Sequence, residues 1–282
     1  MSDEVELVRL VGTERRVGET LESVSKHWQG DKECFLMISP HDDDIVLGAG
    51  LLTQIAMREN VPVYILIVTD GRMGYCSLEE KDGISQIRKK ETFECYQSLG
   101  IPKENIIWLG YPDAILNEYR GRSYSEADST RAISGYTGLQ NSFTYFLRKI
   151  RPTQCFIPTS QDLHPDHRIV FDEFLISCFH AAGDIWPELG QTLDRVPYLN
   201  ELAIYCDFPV PPTLRIMTSE SLLEKKLEAI GAFHSQKQIS ALIENVRASG
   251  PQEYIRNLEF RLYHPSAYHN MFEKKASIGA FR

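Results

Sequence analysis

The sequence predicts an α/β fold of the Rossmann-like type, in which a mostly parallel sheet carries helices on both faces. Three observations support this prediction. Short apolar runs rich in β-branched and aromatic residues recur along the chain, segments with helical apolar spacing separate them, and the runs are continuously apolar rather than alternating. Strands with this pattern are buried on both faces, and a sheet of this kind binds ligands at the carboxyl ends of its strands.

The predicted elements follow in chain order. Residues 1–33 are polar, and their apolar spacing predicts a helix over 14–28, so we expect a helical N-terminal arm. The remaining residues, 34–282, are expected to form one α/β domain with C-terminal helices, in which 113–138 is a long loop of the kind that often binds ligands. The predicted strands are 34–39, 61–69, 105–110, 154–159 and 201–206, and the predicted helices are 47–59, 84–99, 139–150, 166–180 and 219–248.

Composition limits the class of protein. The chain has 282 residues, a hydrophobic fraction of 43% and a formal net charge of -9, with no basic run of the kind that binds nucleic acid. The first residues, MSDEVELVRL, do not resemble a signal peptide, and no apolar run is long enough to span a bilayer. The six cysteines form no CxxC pair. We therefore expect a cytoplasmic globular protein without a membrane span.

The first chemical signal is the group of three aspartates after His41, in "ISPHDDDIVLGAG" (38–50), directly behind a predicted buried strand. Side chains at that position lie in the crevice above the sheet. His41 and Asp44 are three positions apart, so a tight turn can direct both at one point, where a divalent cation would offset the crowding of anions. Capping of the next helix would require only one aspartate.

The second signal is "DLHPDHR" (162–168), which follows the strand predicted over 154–159 and should reach the same edge of the sheet. Its histidines, His164 and His167, are three positions apart. The motif alone is weak evidence, because Pro165 can simply start a helix. Together, however, the two clusters supply two imidazoles and a carboxylate, the ligand set of a catalytic zinc site with one position left for water.

These motifs resemble those of the PIG-L/LmbE family of zinc-dependent N-deacetylases. Family members carry Pro-His-Pro-Asp-Asp-Glu after the first strand and His-Pro-Asp-His further on, and "PHDDD" and "HPDH" correspond to them here. Four later segments agree in order: "TDGRMG" (69–74), "IRKKE" (87–91), "LGYPD" (109–113) and "AIGAFHSQ" (229–236). The resemblance covers about residues 34–240 and implies removal of an acetyl group from an N-acetylated amino sugar of the GlcNAc type, or from its conjugate.

The resemblance also implies the roles of individual residues. The implied metal ligands are His41, Asp44 and His167. Asp43 would be the general base, His164 would stabilise the oxyanion, and Asp166 would orient His164 and keep it charged. The implied metal is Zn²⁺, although Fe²⁺ or Co²⁺ would suit the same ligands. The family tends to assemble, so a homo-oligomer is expected.

Two positions depart from the family motif. Asp42 stands where the family usually has proline, and Ile45 where it usually has glutamate. Without the proline, either Asp42 or Asp43 can be the base, and either Asp43 or Asp44 the ligand, although the His-x-x-Asp spacing favours Asp44. Without the glutamate, the group that supports the metal ligands from behind is undefined.

Three further residues are candidates for substrate binding. Arg88, on the helix predicted over 84–99, either reaches the site or forms an i,i+3 ion pair with Glu91 at the edge of the buried stripe. Asp113 ends a strand, where it can accept hydrogen bonds from sugar hydroxyls or cap the following turn. Arg72 also follows a strand, between two glycines that permit close approach of the backbone.

Other functions are less consistent with these residues. The Gly48-Ala49-Gly50 sequence lacks the third glycine of a dinucleotide site and follows three acids, which would repel a pyrophosphate. Two-metal phosphoesterases need more ligands than the two clusters supply. A different amidase, or a metal- or sugar-binding protein without catalytic activity, is the remaining alternative, and retention of Asp43 and His164 argues against the inactive protein.

Overall fold

A computed structural model describes residues 4–125, 130–259 and 263–273. The strands are β1 (Val5–Val11), β2 (Glu14–Gly18), β3 (Phe35–Ser39), β4 (Val63–Thr69), β5 (Ile106–Tyr111), β6 (Ser123–Tyr124), β7 (Tyr136–Thr137), β8 (Gln154–Pro158), β9 (Tyr198–Leu202), β10 (Leu214–Thr218) and β11 (Gln252–Leu258). The helices are α1 (Leu21–Val24), α2 (Asp44–Arg58), α3 (Ile84–Ser98), α4 (Leu139–Ile150), α5 (Pro165–Ala182), α6 (Glu220–Gly231), α7 (Ile239–Ser249) and α8 (Ser266–Glu273).

The described strands form one large sheet, in the order β2-β1-β10-β11-β9-β8-β3-β4-β5, and a separate β6-β7 ribbon. Strands β9, β8, β3, β4 and β5 are parallel, as predicted. The other strands of the large sheet add to the β9 edge in antiparallel pairs, which the sequence analysis did not anticipate. The predicted α/β architecture is therefore confirmed, with a mixed rather than wholly parallel sheet.

Helices cover both faces of this sheet, as the continuously apolar strands predicted. One face packs against α2, α3 and α6 in a core that includes Ile45, Tyr96 and Phe233. The opposite face packs against α4 and α5, in a core that includes Phe143 and Phe174. Because consecutive side chains of a strand point to opposite faces, both cores draw on the same strands.

The prediction of a helical N-terminal arm is wrong. Residues 5–18 form a hairpin of β1 and β2, and β1 pairs with β10, so the segment belongs to the large sheet. Gly12, at φ 58°, makes the turn, and Leu7 is buried in the core. Pairing with the sheet outweighs the weak helical periodicity, and within the predicted helix, 14–28, the helical residues are the four of α1. The strand predicted at 201–206 also lies earlier, at Tyr198–Leu202.

Helix α2, which begins at the aspartate cluster, is interrupted at Ala49, where φ and ψ are -147° and 26°. The break frees two backbone N–H groups, and the buried carboxylate of Glu253 accepts both, from Leu51 at 2.8 Å and from Leu52 at 2.9 Å. The ammonium of Lys226 lies 2.7 Å from the same carboxylate. A buried ion pair therefore satisfies the groups that the interruption exposes.

Close packing also accounts for the glycines around this break. A Cβ atom at Gly48 would lie 3.2 Å from the Ile204 side chain, and one at Gly50 would lie 3.0 Å from that of Lys226. Both glycines thus let α2 approach its neighbours, a structural role that involves no nucleotide.

The predicted long loop, 113–138, contains a 3₁₀ turn at Leu116–Tyr119 and the β6-β7 ribbon. Residues 126–129 of this loop lie outside the described part of the chain. Among the helices that the structure describes, none combines the length and apolar character needed to cross a membrane.

Candidate active site

The two sequence motifs meet because the strands that precede them are neighbours. Strands β3 and β8 pair in parallel, so their carboxyl ends lie side by side at one edge of the sheet. The HDDD turn follows β3 and leads into α2, and the HPDH segment follows β8 and leads into α5. The turn after β3 is held by hydrogen bonds from the Ser39 hydroxyl to the His41 carbonyl, and from the Thr69 hydroxyl to the Pro40 carbonyl at 2.9 Å.

Three side chains converge with the geometry of a metal site. The distances are 3.1 Å between His41 Nδ1 and His167 Nε2, 3.2 Å between His167 Nε2 and Asp44 Oδ2, and 3.5 Å between His41 Nδ1 and Asp44 Oδ2. Ligands about 2.1 Å from a tetrahedral zinc ion lie about 3.4 Å from one another. The two imidazoles and the carboxylate therefore fit a divalent cation, and a cation would relieve the contact between the two ring nitrogens.

The other edge of His41 faces two carboxylates. Its Nε2 atom lies 3.3 Å from Asp113 Oδ1 and 3.6 Å from Asp166 Oδ2. His41, Asp113 and Asp166 also meet the distance criterion for a metal cluster, as do His41, His164 and His167. An imidazole that binds a metal characteristically donates its second N–H to a carboxylate, and either carboxylate lies near enough to His41 Nε2 for such a contact.

His167 has a similar support, which the sequence analysis missed. Asp162 is fully buried, and its Oδ2 atom lies 3.2 Å from His167 Nδ1. The other oxygen of Asp162 accepts the backbone N–H of His164 at 3.0 Å. The only signal in the sequence was an aspartate just before the HPDH motif, a position that β8 also directs towards the site.

Charge in this cluster shifts the ionisation of its members. Burial opposes protonation of His167, but the adjacent Asp44 and Asp162 outweigh it and raise its pKa to about 9. For Asp44, burial would raise the pKa, but His167 and His41 hold it well below its usual range. The protons that these imidazoles attract occupy the positions that a cation would take, so metal binding should compete with protonation.

Asp43 lies beside this cluster and lines a cavity of about 240 Å³. The side-chain amide of Gln236 donates to Asp43 Oδ2 at 2.6 Å, and Arg88 Nη2 lies 3.8 Å from the same oxygen. His164, Asp113 and Tyr205 also line the cavity. Gln236 ends the segment "AIGAFHSQ" (229–236), and its contact with Asp43 could not be predicted from spacing.

Asp42 has a different role from its neighbours. Its buried carboxylate forms a bidentate ion pair with Arg88, whose Nε atom lies 2.9 Å from Oδ2. The Thr92 hydroxyl also donates to Oδ2, at 3.2 Å. Despite this arginine, burial raises the Asp42 pKa to about 6. The carboxylate is thus turned towards α3 and away from the two histidines.

This arrangement decides between the two expectations for Arg88. The arginine is buried and lines the cavity, and its side-chain partner is Asp42 rather than Glu91. Glu91 instead accepts the backbone N–H and the hydroxyl of Ser235, both at 2.7 Å. Helix α3 therefore connects the HDDD turn to the segment that carries Gln236.

His164 is placed differently from the expectation. Its Nδ1 atom accepts the backbone N–H of Asp166 at 3.2 Å, whereas the Asp166 carboxylate accepts the backbone N–H of Ala114 at 2.8 Å. Burial, with repulsion from His41 and His167, lowers the His164 pKa. The expectation that Asp166 keeps His164 charged is therefore not supported. Because Nδ1 accepts a hydrogen bond, a neutral His164 ring would carry its proton on Nε2, which could then donate one.

Arg72 and Ile45 are not among the residues that line the cavity. The Arg72 side chain is about half exposed and pairs with Asp70 at 2.7 Å through Nε. Ile45 is fully buried in the core, so apolar packing replaces the polar support that a glutamate would give at this position.

The family model described as "PIG-L: GlcNAc-PI de-N-acetylase" matches residues 36–177, half of the chain, including both motifs. No curated protein matched the chain.

Solved structures share the fold. A conserved protein from Thermus thermophilus is 24% identical with a TM-score of 0.62, covering 82% of this chain and 97% of that one. N,N'-diacetylchitobiose deacetylase from Pyrococcus horikoshii is 24% identical with a TM-score of 0.64, covering 85% and 86%. GalB, the 4-carboxy-2-hydroxymuconate hydratase from Pseudomonas putida, is 14% identical with a TM-score of 0.61, covering 82% and 98%.

Proposed function

The chain belongs to the PIG-L family, and from this membership and the geometry of the site we propose that it is a metal-dependent N-deacetylase. Its substrate would be an N-acetylated amino sugar of the GlcNAc type or a conjugate of one, and its products the free amine and acetate. The observation that carries the proposal is the triangle of ligand atoms from His41, Asp44 and His167, with sides of 3.1 to 3.5 Å, beside an acidic side chain that lines a cavity.

Unsatisfied polar atoms support the same conclusion. Buried groups are normally hydrogen-bonded, so atoms without a partner call for an explanation. Among the described residues, several such atoms cluster at the site. Among them are Asp44 Oδ1, Arg88 Nη1, Asp166 Oδ1 and Gln236 Oε1. A site built to receive a cation and a polar substrate would leave these groups unpaired until both are bound.

The metal, Zn²⁺ or another divalent ion such as Fe²⁺ or Co²⁺, would be held by His41, Asp44 and His167. When bound, it would polarise the acetyl carbonyl and lower the pKa of water in the site. Asp113 and Asp166 would orient His41, and Asp162 would orient His167, so that their ring nitrogens face the ion.

The reaction would proceed through the chain's own acid and base. Asp43 takes a proton from the attacking water, and a new C–O bond forms at the acetyl carbon. The Nε2–H group of His164 donates to the oxyanion that develops. Asp43 then gives the proton to the departing nitrogen, the C–N bond breaks, and amine and acetate leave. Gln236 would fix the Asp43 carboxylate for both transfers.

The cavity is suited to a polar substrate. Arg88 and Asp113 line it and offer a donor and an acceptor for sugar hydroxyls, and Arg88 Nη1 has no hydrogen-bond partner among the described residues. We propose these two residues, rather than Arg72, as the main substrate-binding groups. The volume of about 240 Å³ suits one sugar ring, with any attached group extending outwards.

The fold alone does not define the reaction, since one of the similar structures is a hydratase. Acetate release from N-acetylglucosamine and several of its conjugates tests the proposal, with metal-loaded and chelated protein compared. Metal-dependent acetate release is the expected result. Protein that binds one metal ion but releases acetate from no N-acetylated sugar would contradict the proposal and favour another amidase or a binding protein.

A further inference from the structure

A second cavity lies at the opposite end of the large sheet from the candidate active site. It encloses about 350 Å³ and is lined by residues near the amino ends of the parallel strands, including Gln154 of β8 and Tyr198 and Asn200 of β9. Arg9 of β1 and Lys26 and His27, which follow α1, complete one wall. The N-terminal hairpin thus builds a cavity that the proposed deacetylation does not use.

Arg9 is unusual among the arginines of this part of the sheet. Three neighbouring arginines have a carboxylate partner: Arg16 pairs with Glu14, Arg215 with Glu6 and Arg256 with Glu201. Within the described part of the chain, the Arg9 side chain forms no hydrogen bond or ion pair, and its Nε atom is buried. Burial, together with repulsion from Arg16, lowers the Arg9 pKa to about 10. Arg9 is partly exposed, but its buried Nε–H group lacks a hydrogen-bond partner, which is costly and makes the guanidinium a candidate for ligand binding.

The surroundings of Arg9 are cationic although the whole chain is acidic. Besides Arg256, whose charge Glu201 offsets, the lining includes the cations Arg9 and Lys26 and one acid, Glu259, while the chain has a net charge of -9. The His27 ring stacks on Tyr198 with centroids 3.9 Å apart and planes within 1°, and the Arg195 guanidinium lies 5.1 Å from the Tyr198 ring. This stack gives the cavity a rigid aromatic wall beside its cations.

We infer that this cavity binds the phosphate group of a small phosphorylated molecule, with Arg9 as the main contact. A guanidinium offers two parallel N–H groups to two phosphate oxygens, and Lys26, which lines the same cavity, supplies a second positive charge. A phosphate dianion would offset the charges of both Arg9 and Lys26, whereas a monoanionic carboxylate would offset only one of them. The volume leaves room for a small group attached to the phosphate.

The test is a calorimetric titration of metal-loaded protein with inorganic phosphate, at constant ionic strength, for the wild type, Arg9→Met and Lys26→Met. Arg247→Met is the matched control, since Arg247 pairs with Glu224 on the surface and does not line the cavity. We expect phosphate to bind the wild type and the control equally, Arg9→Met to weaken binding by at least about tenfold, and Lys26→Met to weaken it less. Acetate should bind more weakly than phosphate.

Thermal unfolding without phosphate provides a second measurement. Because the Arg9 side chain lacks a partner, Arg9→Met should raise the midpoint or leave it unchanged, whereas a structural role for the guanidinium would lower it. Phosphate binding that is unchanged in Arg9→Met, as expected for binding at the active-site metal, would overturn the inference. So would the absence of binding to the wild type, or equal affinity for acetate and phosphate.

Discussion

Arg88→Met is expected to leave the carboxylate of Asp42 buried without its counter-ion. Asp42 is 1% exposed, and its remaining side-chain donor is the Thr92 hydroxyl at 3.2 Å. Removing one partner of a buried ion pair typically costs about 3–5 kcal/mol. Since burial already raises the Asp42 pKa to about 6, the carboxyl group can avoid part of this cost by taking up a proton. We therefore expect Arg88→Met to lower the free energy of unfolding by about 3 kcal/mol at pH 8.

The direction of the pH dependence follows from the same pKa. In Arg88→Met the pKa of Asp42 in the folded protein should rise further above its unfolded value. Relative to the wild type, the variant should therefore lose stability as the pH increases above about 6 and regain it below pH 6. Adding Asp42→Asn should restore most of the stability at pH 8, because a neutral amide of similar size replaces the unpaired charge.

Urea denaturation of chelated protein at pH 5 and pH 8 measures these effects without linkage to metal binding. Arg247→Met, which removes a surface arginine, is the control and should match the wild type. Two results would refute the interpretation of Asp42 and Arg88 as a buried charge pair. One is that Arg88→Met lowers the free energy of unfolding by less than about 1 kcal/mol at pH 8. The other is that the losses in the two single variants, Arg88→Met and Asp42→Asn, simply add up in the double variant.

Three further predictions concern other parts of the structure. Glu253→Gln should destabilise the protein by about 3 kcal/mol in urea, because it leaves the ammonium of Lys226 buried without a counter-charge; a change below about 1 kcal/mol would contradict the proposed stabilisation of the break in α2. Asp162→Asn should weaken zinc affinity about 10- to 100-fold in a competition with a chelating dye, since His167 loses its carboxylate support, and unchanged affinity would exclude that support. Partial burial and the neighbouring Glu33 raise the Cys34 pKa to about 12, so this thiol should remain protonated and resist iodoacetamide at pH 8, as mass spectrometry of the labelled peptides would establish; rapid labelling of Cys34 in the folded protein would contradict this pKa shift.

The sequence was most informative where function constrains residues at short spacing. The HDDD and HPDH motifs each follow a buried strand, and the geometry of parallel sheets brings such strand ends together, so the convergence of His41, Asp44 and His167 was predictable. The alternation of apolar strands and helices predicted the α/β fold for the same reason: a strand buried on both faces needs helices on both sides.

The errors arose where long-range contacts decide the outcome. Helical periodicity in residues 14–28 was outweighed by pairing of β1 with β10, a partner about 200 positions later in the chain. The contacts of Gln236 with Asp43 and of Asp42 with Arg88 join segments that no local pattern connects. For Arg72, position alone is not decisive, because a strand-end position beside glycines also permits an exposed ion pair with Asp70.

The measurement that tests the central claim most directly compares bound metal and acetate release in the same preparations of wild type, Asp43→Asn and Asp44→Asn, with the exposed Asp194→Asn as control. If Asp43 is the base and Asp44 a ligand, Asp43→Asn should keep one bound metal ion and lose about 10²- to 10⁴-fold in rate, whereas Asp44→Asn should lose the metal itself. Wild-type turnover in Asp43→Asn, or full metal occupancy in Asp44→Asn, would contradict the assignment of these two neighbouring carboxylates.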